Sequence, residues 1–265
     1  MSIMLFCRKI RSALAALACF MLMLPMPGVA EEHRAIRVAV EGAFPPFNFL
    51  DSNQELQGFD VELAKALCEA GKLDCDFVIE EWTAMIPNLL ERKYDAIISS
   101  MSMSAERRAK VAFTAKYYNS PSILVKRKEH THFSGTLTEL AGLKLGVTAS
   151  TAQEQYAKRY LADVETTVFD ASPNLYKGLA DGTVDVILED KLAIYDWLAN
   201  TRAGACCEFV GQDIKSEEFF GEGAGIAVRL DDDSLRLIFD EALKTVKGNG
   251  KYDEINAKYF PFSIQ

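Results

Sequence analysis

Histidine and positive charge are scarce in this sequence of 265 residues. It has 3 histidines, and its 29 Lys and Arg residues are outnumbered by 38 Asp and Glu, which gives a net charge of −9. Because nucleic-acid binding depends on Lys and Arg that neutralise phosphates, this balance argues against a nucleic-acid binder. No CxxC motif occurs, which argues against a zinc site. The weak metal pair His130 and His132 is interpreted as two exposed loop histidines, and we expect no metal and no cofactor.

Long apolar runs are also lacking, with one exception at residues 13–24. Three basic residues precede this run, and Gly28 and Ala30 supply the small side chains of a peptidase site. The pattern predicts a cleaved signal peptide over residues 1–30 and a mature protein in the periplasm. The alternative is an uncleaved anchor, but the run is shorter than the roughly twenty residues that span a bilayer. Without residues 1–30 the chain has 235 residues and a net charge of −12.

The use of cysteine agrees with export. Two of the six cysteines fall within the predicted signal peptide. Cys68 and Cys75 connect the end of a predicted helix to the start of a predicted strand, so in an oxidising compartment we expect a local disulfide. Cys206 and Cys207 are adjacent. A disulfide between neighbours is strained, so we expect these two cysteines to be reduced.

Short apolar strands alternate with amphipathic helices along the rest of the chain. This βαβ alternation predicts an α/β fold with parallel sheets, and its restart near residue 144 predicts two such units. Four predicted elements matter below: a helix with Asp60 as its N-cap, a helix over 82–92, a surface loop over 126–136 and a glycine-rich strand over 221–228.

Eight segments, in the right order, resemble the signatures of one known family. The chain is similar to the periplasmic polar-amino-acid binding proteins of ABC importers (solute-binding protein family 3), above all to the lysine/arginine/ornithine- and histidine-binding proteins. The segments are 44–49 (FPPFNF), 58–64 (GFDVELA), 82–89 (WTAMIPNL), 94–102 (YDAIISSMS), 107–114 (RRAKVAFT), 145–147 (LGV), 181–190 (DGTVDVILED) and 250–260 (GKYDEINAKYF).

The resemblance implies a two-lobed periplasmic binding protein-like fold of type II. Each lobe would be a mainly parallel sheet flanked by helices, and two hinge strands would join the lobes. Residues 31–118 plus 220–265 would form the first lobe and residues 119–219 the second. The implied partners are a small-molecule amino acid and a membrane ABC permease, and we expect a monomer. The lysine/arginine/ornithine- and histidine-binding proteins that the chain resembles also have a disulfide at the spacing of Cys68 and Cys75.

The resemblance also assigns residues to the α-groups of an amino acid. Arg107 matches the arginine that binds the α-carboxylate, which a guanidinium can grip through two parallel hydrogen bonds. Asp190 matches the aspartate that pairs with the α-ammonium, and it is also a candidate N-cap of the next helix. Ser99, Ser100 and Ser102 match a turn that contacts both α-groups, although serines are also common in plain turns.

The turn around Thr151 and Ala152 departs from the family pattern, since alanine stands where threonine is common. Main-chain N–H groups at a helix N-terminus can still bind an anion there, and Thr151 can supply a hydroxyl. Side-chain specificity is assigned to Glu41, Phe44 and Trp82: an acid for a distal cation and two aromatic rings that sandwich the side chain. Read alone, the two rings would be packing residues and Glu41 a solvated acid.

These assignments predict a binding protein for a cationic L-amino acid, arginine first, then ornithine, lysine or histidine. Three alternatives remain open. An opine such as octopine or nopaline would need a roomier pocket. A cyclohexadienyl dehydratase-like enzyme on the same fold would need a catalytic acid or base, for which Glu41 is the candidate. A sensor that presents its ligand to a receptor kinase would have the same site.

Overall fold

The structure is a computed structural model in which residues 35–265 are described. The predicted signal peptide, residues 1–30, lies outside the described residues, together with Cys7 and Cys19. Between residues 35 and 265 no helix has the length and apolar character to cross a bilayer.

Residues 35–265 contain thirteen strands and nine α-helices. The strands are β1 (Ile36–Val40), β2 (Ala43–Phe44), β3 (Asn48–Leu50), β4 (Leu56–Gln57), β5 (Cys75–Ile79), β6 (Ala96–Ile97), β7 (Ala112–Phe113), β8 (Ser122–Arg127), β9 (Leu145–Thr148), β10 (Thr166–Phe169), β11 (Val186–Asp190), β12 (Cys207–Ile214) and β13 (Ala227–Val228). The helices are α1 (Phe59–Gly71), α2 (Met85–Leu90), α3 (Ala105–Arg108), α4 (Ala152–Tyr160), α5 (Ser172–Asp181), α6 (Lys191–Asn200), α7 (Glu217–Phe220), α8 (Asp233–Gly248) and α9 (Lys251–Tyr259). Short 3-10 helices cover Trp82–Ala84, Leu137–Leu140 and Gly204–Cys206.

Two five-stranded sheets give the molecule its two lobes. The first has the order β5-β1-β6-β13-β7 and the second the order β10-β9-β11-β8-β12, while β2, β3 and β4 form a small third sheet. Within the first sheet β1 is parallel to β5 and β6, and within the second β9 is parallel to β10 and β11. The other pairings are antiparallel, because β8 and β13 enter their sheets directly after the chain crosses between the lobes. The predicted two-lobed α/β fold is confirmed, with mixed sheets.

Apolar side chains cover both faces of each sheet. In β1, Val38 packs with α1 and α8 on one face, while Ala39 packs with α2 on the other. In β11, Leu188 and Ile187 belong to separate clusters in the same way. Neighbouring residues of a strand point to opposite faces, so strands covered on both sides must be apolar throughout. Polar residues are thereby left to the strand ends, where β1 leads into Glu41 and β11 ends at Asp190.

The chain crosses between the sheets twice, through residues 114–121 and residues 215–226. These two segments pair with each other, since Ala224 forms an antiparallel bridge with Tyr118 and its N–H donates to the Tyr118 carbonyl at 3.0 Å. They lie where the family resemblance implies hinge strands. The predicted lobe boundaries, 118/119 and 219/220, fall within these segments and stay a prediction.

Two predicted elements are shorter in the structure. The helix over 82–92 begins as a 3-10 turn and becomes the short helix α2 only from Met85. The glycine-rich strand over 221–228 is reduced to β13. Gly221 and Gly223 have φ values of 64° and 138°, which a strand does not contain, so pairing begins only beyond them.

The predicted surface loop over 126–136 is anchored more firmly than its polar composition indicates. β8 extends to Arg127 and includes Lys126, which is buried. The Lys126 ammonium donates hydrogen bonds to the carbonyls of His130 (2.9 Å) and Phe133 (3.2 Å). The long lysine side chain thus ties the following turn back onto the strand.

Both cysteine pairs within residues 35–265 are joined by disulfides. Cys68 in α1 is bonded to Cys75 at the start of β5, as predicted. Cys206 is bonded to Cys207, so the expectation that these two cysteines are reduced is wrong. The chain changes there from a 3-10 turn into β12, and this change of backbone direction brings the two sulfurs together.

Removing the first of these disulfides is expected to destabilise the protein far more than removing the second. A disulfide stabilises mainly by restricting the unfolded chain, and the effect grows with the length of the closed loop. The double variant Cys68→Ala/Cys75→Ala should lower the free energy of unfolding by about 2–4 kcal/mol. Cys206→Ala/Cys207→Ala is the matched control, since its loop is minimal. Urea unfolding followed by circular dichroism compares the two, and an equal or larger loss in the control would contradict this account.

Candidate functional site

One cavity lies between the two sheets, at the ends of β1, β6 and β11. All ten residues that the sequence predicts as ligand-binding line it: Glu41, Phe44, Trp82, Ser99, Ser100, Ser102, Arg107, Thr151, Ala152 and Asp190. Four further residues line it that the sequence interpretation missed: Thr148, Gln153, Ser172 and Glu189. Residues far apart in the chain are therefore brought into one cleft between the lobes.

Arg107 is the one cationic side chain that lines the cavity within the described chain. Its short helix α3 has Ser104 as its N-cap, whose hydroxyl accepts a hydrogen bond from the Arg107 backbone N–H at 3.3 Å. The guanidinium donates to the carbonyl and hydroxyl of Ser102 at 3.1 and 2.6 Å. Burial lowers the pKa of Arg107 to about 10, so the side chain remains charged at neutral pH. It is a fixed cation beside the cavity.

The turn after β6 is built on a buried acid, Asp60. The Asp60 carboxylate accepts hydrogen bonds from the Ser100 hydroxyl (2.8 Å), the Tyr117 hydroxyl (3.0 Å) and the Asn48 amide (2.9 Å). Burial raises the pKa of Asp60 to about 6. The predicted capping role of Asp60 is wrong, because Gly58 is the N-cap of α1 and no side chain caps that helix. The Asp60 carboxylate instead holds the turn of Ser99, Ser100 and Ser102, here called the serine turn, in place through the Ser100 hydroxyl.

Ser100 itself has a left-handed backbone, with φ 53°. In this conformation its N–H donates to the Tyr117 hydroxyl at 2.8 Å. The neighbouring Ser99 hydroxyl accepts a hydrogen bond from the backbone N–H of Glu41 at 3.0 Å. The turn therefore links the ends of β1 and β6 and holds its remaining polar groups toward the cavity.

Asp190 is the N-cap of α6, as predicted. Its carboxylate accepts hydrogen bonds from the backbone N–H groups of Leu192 and Ala193 at 2.9 and 3.0 Å, and from the Ser120 hydroxyl at 2.8 Å. Burial raises the pKa of Asp190 to about 6, so the group is mainly ionised at neutral pH. These contacts hold the carboxylate at the edge of the cavity.

The second-lobe turn contributes the amino end of α4. Thr151 is its N-cap: the hydroxyl accepts from the Glu154 N–H at 3.2 Å and donates to the Thr148 carbonyl at 2.6 Å. The Thr151 hydroxyl is therefore used by the fold, and Ala152 adds a backbone N–H in the first turn of α4. Gln153 lines the cavity with its amide bonded to the Ser122 hydroxyl at 3.0 Å.

Two hydrogen bonds and an aromatic contact lie beside the cavity and connect Trp82 and Arg107 to Ser150. The indole N–H of Trp82 and the guanidinium of Arg107 both donate to the Ser150 carbonyl, at 3.2 and 3.1 Å. The guanidinium carbon lies 5.0 Å from the Trp82 ring centroid. Phe44 stacks on Phe47, with ring centroids 5.6 Å apart. Both predicted aromatic residues thus line the cavity, and Trp82 also contacts the second lobe.

Three carboxylates line the cavity: Glu41, Glu189 and Asp190. Burial, followed by the charges of Glu81 and Asp60, raises the pKa of Glu41 to about 7. Burial raises the pKa of Glu189 to about 8. In the sequence Glu189 stands directly before Asp190 at the end of an apolar strand, but this position alone does not show that both side chains reach one cavity.

Metal-binding clusters are not found among residues 35–265. Of the histidine pair singled out in the sequence, His130 contacts Asp185, with Nε2 3.2 Å from the carboxylate. His132 lies on an exposed stretch of chain. The two histidines are separate from the cavity described above.

The sequence is similar to known binding proteins over nearly its whole length. Residues 36–262 match the family model of bacterial extracellular solute-binding proteins, family 3. The L-arginine-binding protein of Pseudomonas aeruginosa is 37% identical over 253 residues, covering 95% of this chain and 96% of that protein. The histidine-binding periplasmic protein of Escherichia coli (strain K12) is 33% identical over 231 residues, covering 86% of this chain and 88% of that protein.

The fold matches as well. A solved structure of a Salmonella typhimurium periplasmic binding protein, described for its high arginine specificity, has a TM-score of 0.78 and 27% identity. The match covers 86% of this chain and 99% of that chain. All three relatives are binding proteins by name, and two are named as periplasmic.

Proposed function

Because the chain belongs to the bacterial extracellular solute-binding proteins of family 3, we propose that it is the periplasmic component of an ABC amino-acid importer. Its ligand in this proposal is a cationic L-amino acid, arginine first. The observation that carries the proposal is the lining of the cavity, where three acidic side chains face one cation, Arg107, and can all be ionised once a cationic ligand is present. Buried charges require partners of opposite sign. A ligand with two cationic groups and one anionic group balances this cavity better than a neutral zwitterion.

The α-groups of the ligand have partners at one end of the cavity. Arg107 and the N-terminal N–H groups of α4 favour a carboxylate, because a guanidinium and a helix N-terminus both bind anions. Asp190 offers its carboxylate to the α-ammonium while it also caps α6. The serine turn supplies further hydroxyl and main-chain groups between these charges.

The cationic group at the end of the ligand side chain is then left to pair with Glu41. Phe44 and Trp82 line the same cavity, and aromatic faces attract a cation, most strongly for tryptophan. The relatives named for arginine and histidine support a ligand of this class. We extend the proposal to a monomer that is exported by residues 1–30 and delivers its ligand to a membrane permease.

A thermal-shift screen with purified residues 31–265 tests the proposed function. A ligand that binds the folded state alone raises the melting temperature as its concentration rises above Kd. Arginine, ornithine, lysine and histidine should raise it, with arginine giving the largest shift. Octopine in the same screen tests the opine alternative. A shift with glutamine and none with the cationic set would overturn the proposal.

An enzymatic role is the second candidate, since buried acids with raised pKa values are also typical of general acid catalysts. Glu41 and Glu189 have that property. The cavity is lined by neither histidine nor cysteine within the described chain. We propose that the protein binds its ligand without converting it. Release of phenylpyruvate from prephenate would contradict this.

Arginine affinity is expected to rise with pH between about 6 and 8. An acid whose pKa is raised in the folded protein stabilises it below the ordinary pKa, and this stability is lost as pH rises through the folded pKa. In the ligand-free protein the Glu41 carboxyl therefore stays largely protonated up to a pH of about 7, and the Glu189 carboxyl up to about 8, well above their ordinary pKa of 4.5. A cationic ligand favours their ionised forms, so binding releases protons.

Calorimetry at pH 6, 7 and 8 measures this effect. Since one pKa unit corresponds to a factor of ten, we expect affinity about tenfold or more lower at pH 6 than at pH 8. The guanidinium and the α-carboxylate of arginine keep their charges throughout this window. The Glu41→Gln variant should show a weaker dependence. Affinity that does not change with pH would contradict the assignment of these acids to the cation.

A further inference from the structure

Glu189 is a buried acid without a cationic partner. The residue is 3% exposed and lines the cavity. One carboxylate oxygen accepts the backbone N–H of Asp190 at 2.7 Å, and the other accepts the hydroxyl of Ser172 at 3.2 Å. In the described part of the chain, no Lys, Arg or His nitrogen lies within 4.0 Å of this carboxylate. The group is therefore held in place by neutral donors.

The direction of β11 places Glu189 on a different side of the cavity from Asp190. Alternate residues of a strand share a face, so Glu189 points to the same side as Ile187, which packs against α5. Helix α5 in turn contacts β2, which carries Phe44. Glu189 thus approaches the cavity from the second lobe on the side where Glu41 and Phe44 stand in the first. Asp190 points instead toward the crossing segment at Ser120.

The ionisable groups that face Glu189 are Glu41, Asp190 and Tyr176. Burial, and then the charge of Glu189, raises the pKa of Tyr176 well above its ordinary value, so the tyrosine is neutral. The surroundings are therefore acidic or neutral, and they supply no cation to balance Glu189. A cationic group of the ligand would be the first cationic partner of the Glu189 carboxylate.

We propose that Glu189 is a second specificity-determining residue, which meets one edge of a ligand guanidinium while Glu41 meets another. This inference rests on the proposed function. A guanidinium is planar, with donors spread along its edges, so two carboxylates can bind it in its plane while aromatic rings cover its faces. A lysine ammonium is compact and can be satisfied by Glu41 alone. Glu189 therefore selects arginine over lysine.

Calorimetric titration of arginine and lysine into wild-type protein and Glu189→Gln tests the assignment. Hydrogen bonds to charged groups are lost in this near-isosteric variant, so arginine affinity should fall about ten- to a hundredfold. Lysine affinity should fall less, so the arginine-to-lysine ratio should fall about fivefold or more. Proton release on arginine binding, measured in buffers of different ionisation enthalpy, should also decrease. If Glu189→Gln fails to fold, Glu189→Asp replaces it in the test. Its shorter side chain moves the carboxylate back from the ligand, so the arginine-to-lysine affinity ratio should fall in this variant as well.

Asp185→Asn is the matched control, because it changes an acid just before the opposite end of β11, away from the cavity. It should leave the ratio unchanged. Wild-type protein that binds neither amino acid would overturn the proposed function and this inference together. Wild-type binding with an unchanged ratio and unchanged proton release in Glu189→Gln would overturn this inference alone, and would leave Glu189 a structural partner of Ser172.

Discussion

Arg107→Ala is expected to reduce arginine affinity by about a hundredfold or more, since truncating one member of a buried, hydrogen-bonded charge pair costs several kcal/mol. Arg107 is 8% exposed, and its guanidinium is held beside the cavity by Ser102 and by the Ser150 carbonyl, so the fold fixes its position. Its loss leaves the ligand carboxylate without a cationic partner in the cavity. Calorimetry with purified variants measures the change.

Arg108→Ala is the matched control for this experiment. Arg108 is the next residue of α3, and its guanidinium donates to the Met103 carbonyl at 3.2 Å and lies over Phe113, outside the cavity. Its removal should leave arginine affinity within about twofold, as expected for a charge that does not touch the ligand. Equal losses of arginine affinity in both variants would contradict the binding role of Arg107, because the effect would then come from a disturbance of helix α3.

Asp190→Asn is expected to reduce affinity for every amino acid by about a hundredfold, since it removes the anion proposed to pair with the α-ammonium. Asparagine is as good an N-cap as aspartate, so α6 should keep its capping hydrogen bonds. The melting temperature of the ligand-free protein should therefore change little. Loss of binding with retained stability separates the binding role from the capping role.

Asp196→Asn serves as the control, because Asp196 lies on the same helix and its carboxylate accepts from Asn200 away from the cavity. It should bind arginine as the wild type does. The role of Asp190 would be contradicted if Asp190→Asn kept full affinity. It would also be contradicted if affinity were lost only for cationic ligands, since the α-ammonium is common to all.

The resemblance to a known family predicted the two-lobed fold and the lining of the cavity, and the segments that carry it lie at strand ends and turns. Ser99 follows an apolar strand and Asp190 ends one, and the carboxyl ends of strands in open α/β folds are where ligands bind. Arg107 follows a serine that caps its helix. Such features involve residues that are close together in the chain, so they can be recognised in a single sequence.

Glu189 and Asp60 were missed or misassigned because their roles depend on distant residues. Strand alternation sends Glu189 to the opposite face from Asp190, and only the meeting of α5 with β2 brings that face to the cavity. Asp60 has the position of an N-cap in the sequence pattern, yet its carboxylate turns to Tyr117, 57 residues further on. Cys206 and Cys207 depend likewise on a change of backbone direction that the sequence does not signal.

Calorimetry with arginine and citrulline tests the central claim most directly. The two amino acids have nearly the same shape, but citrulline carries a neutral urea group where arginine carries a guanidinium. If Glu41 and Glu189 are present to bind a distal cation, arginine should bind about a hundredfold or more tightly than citrulline, because a buried carboxylate left without its cation is costly. Equal affinities, or tighter binding of citrulline, would contradict the claim that the acids of this cavity select a cationic amino acid.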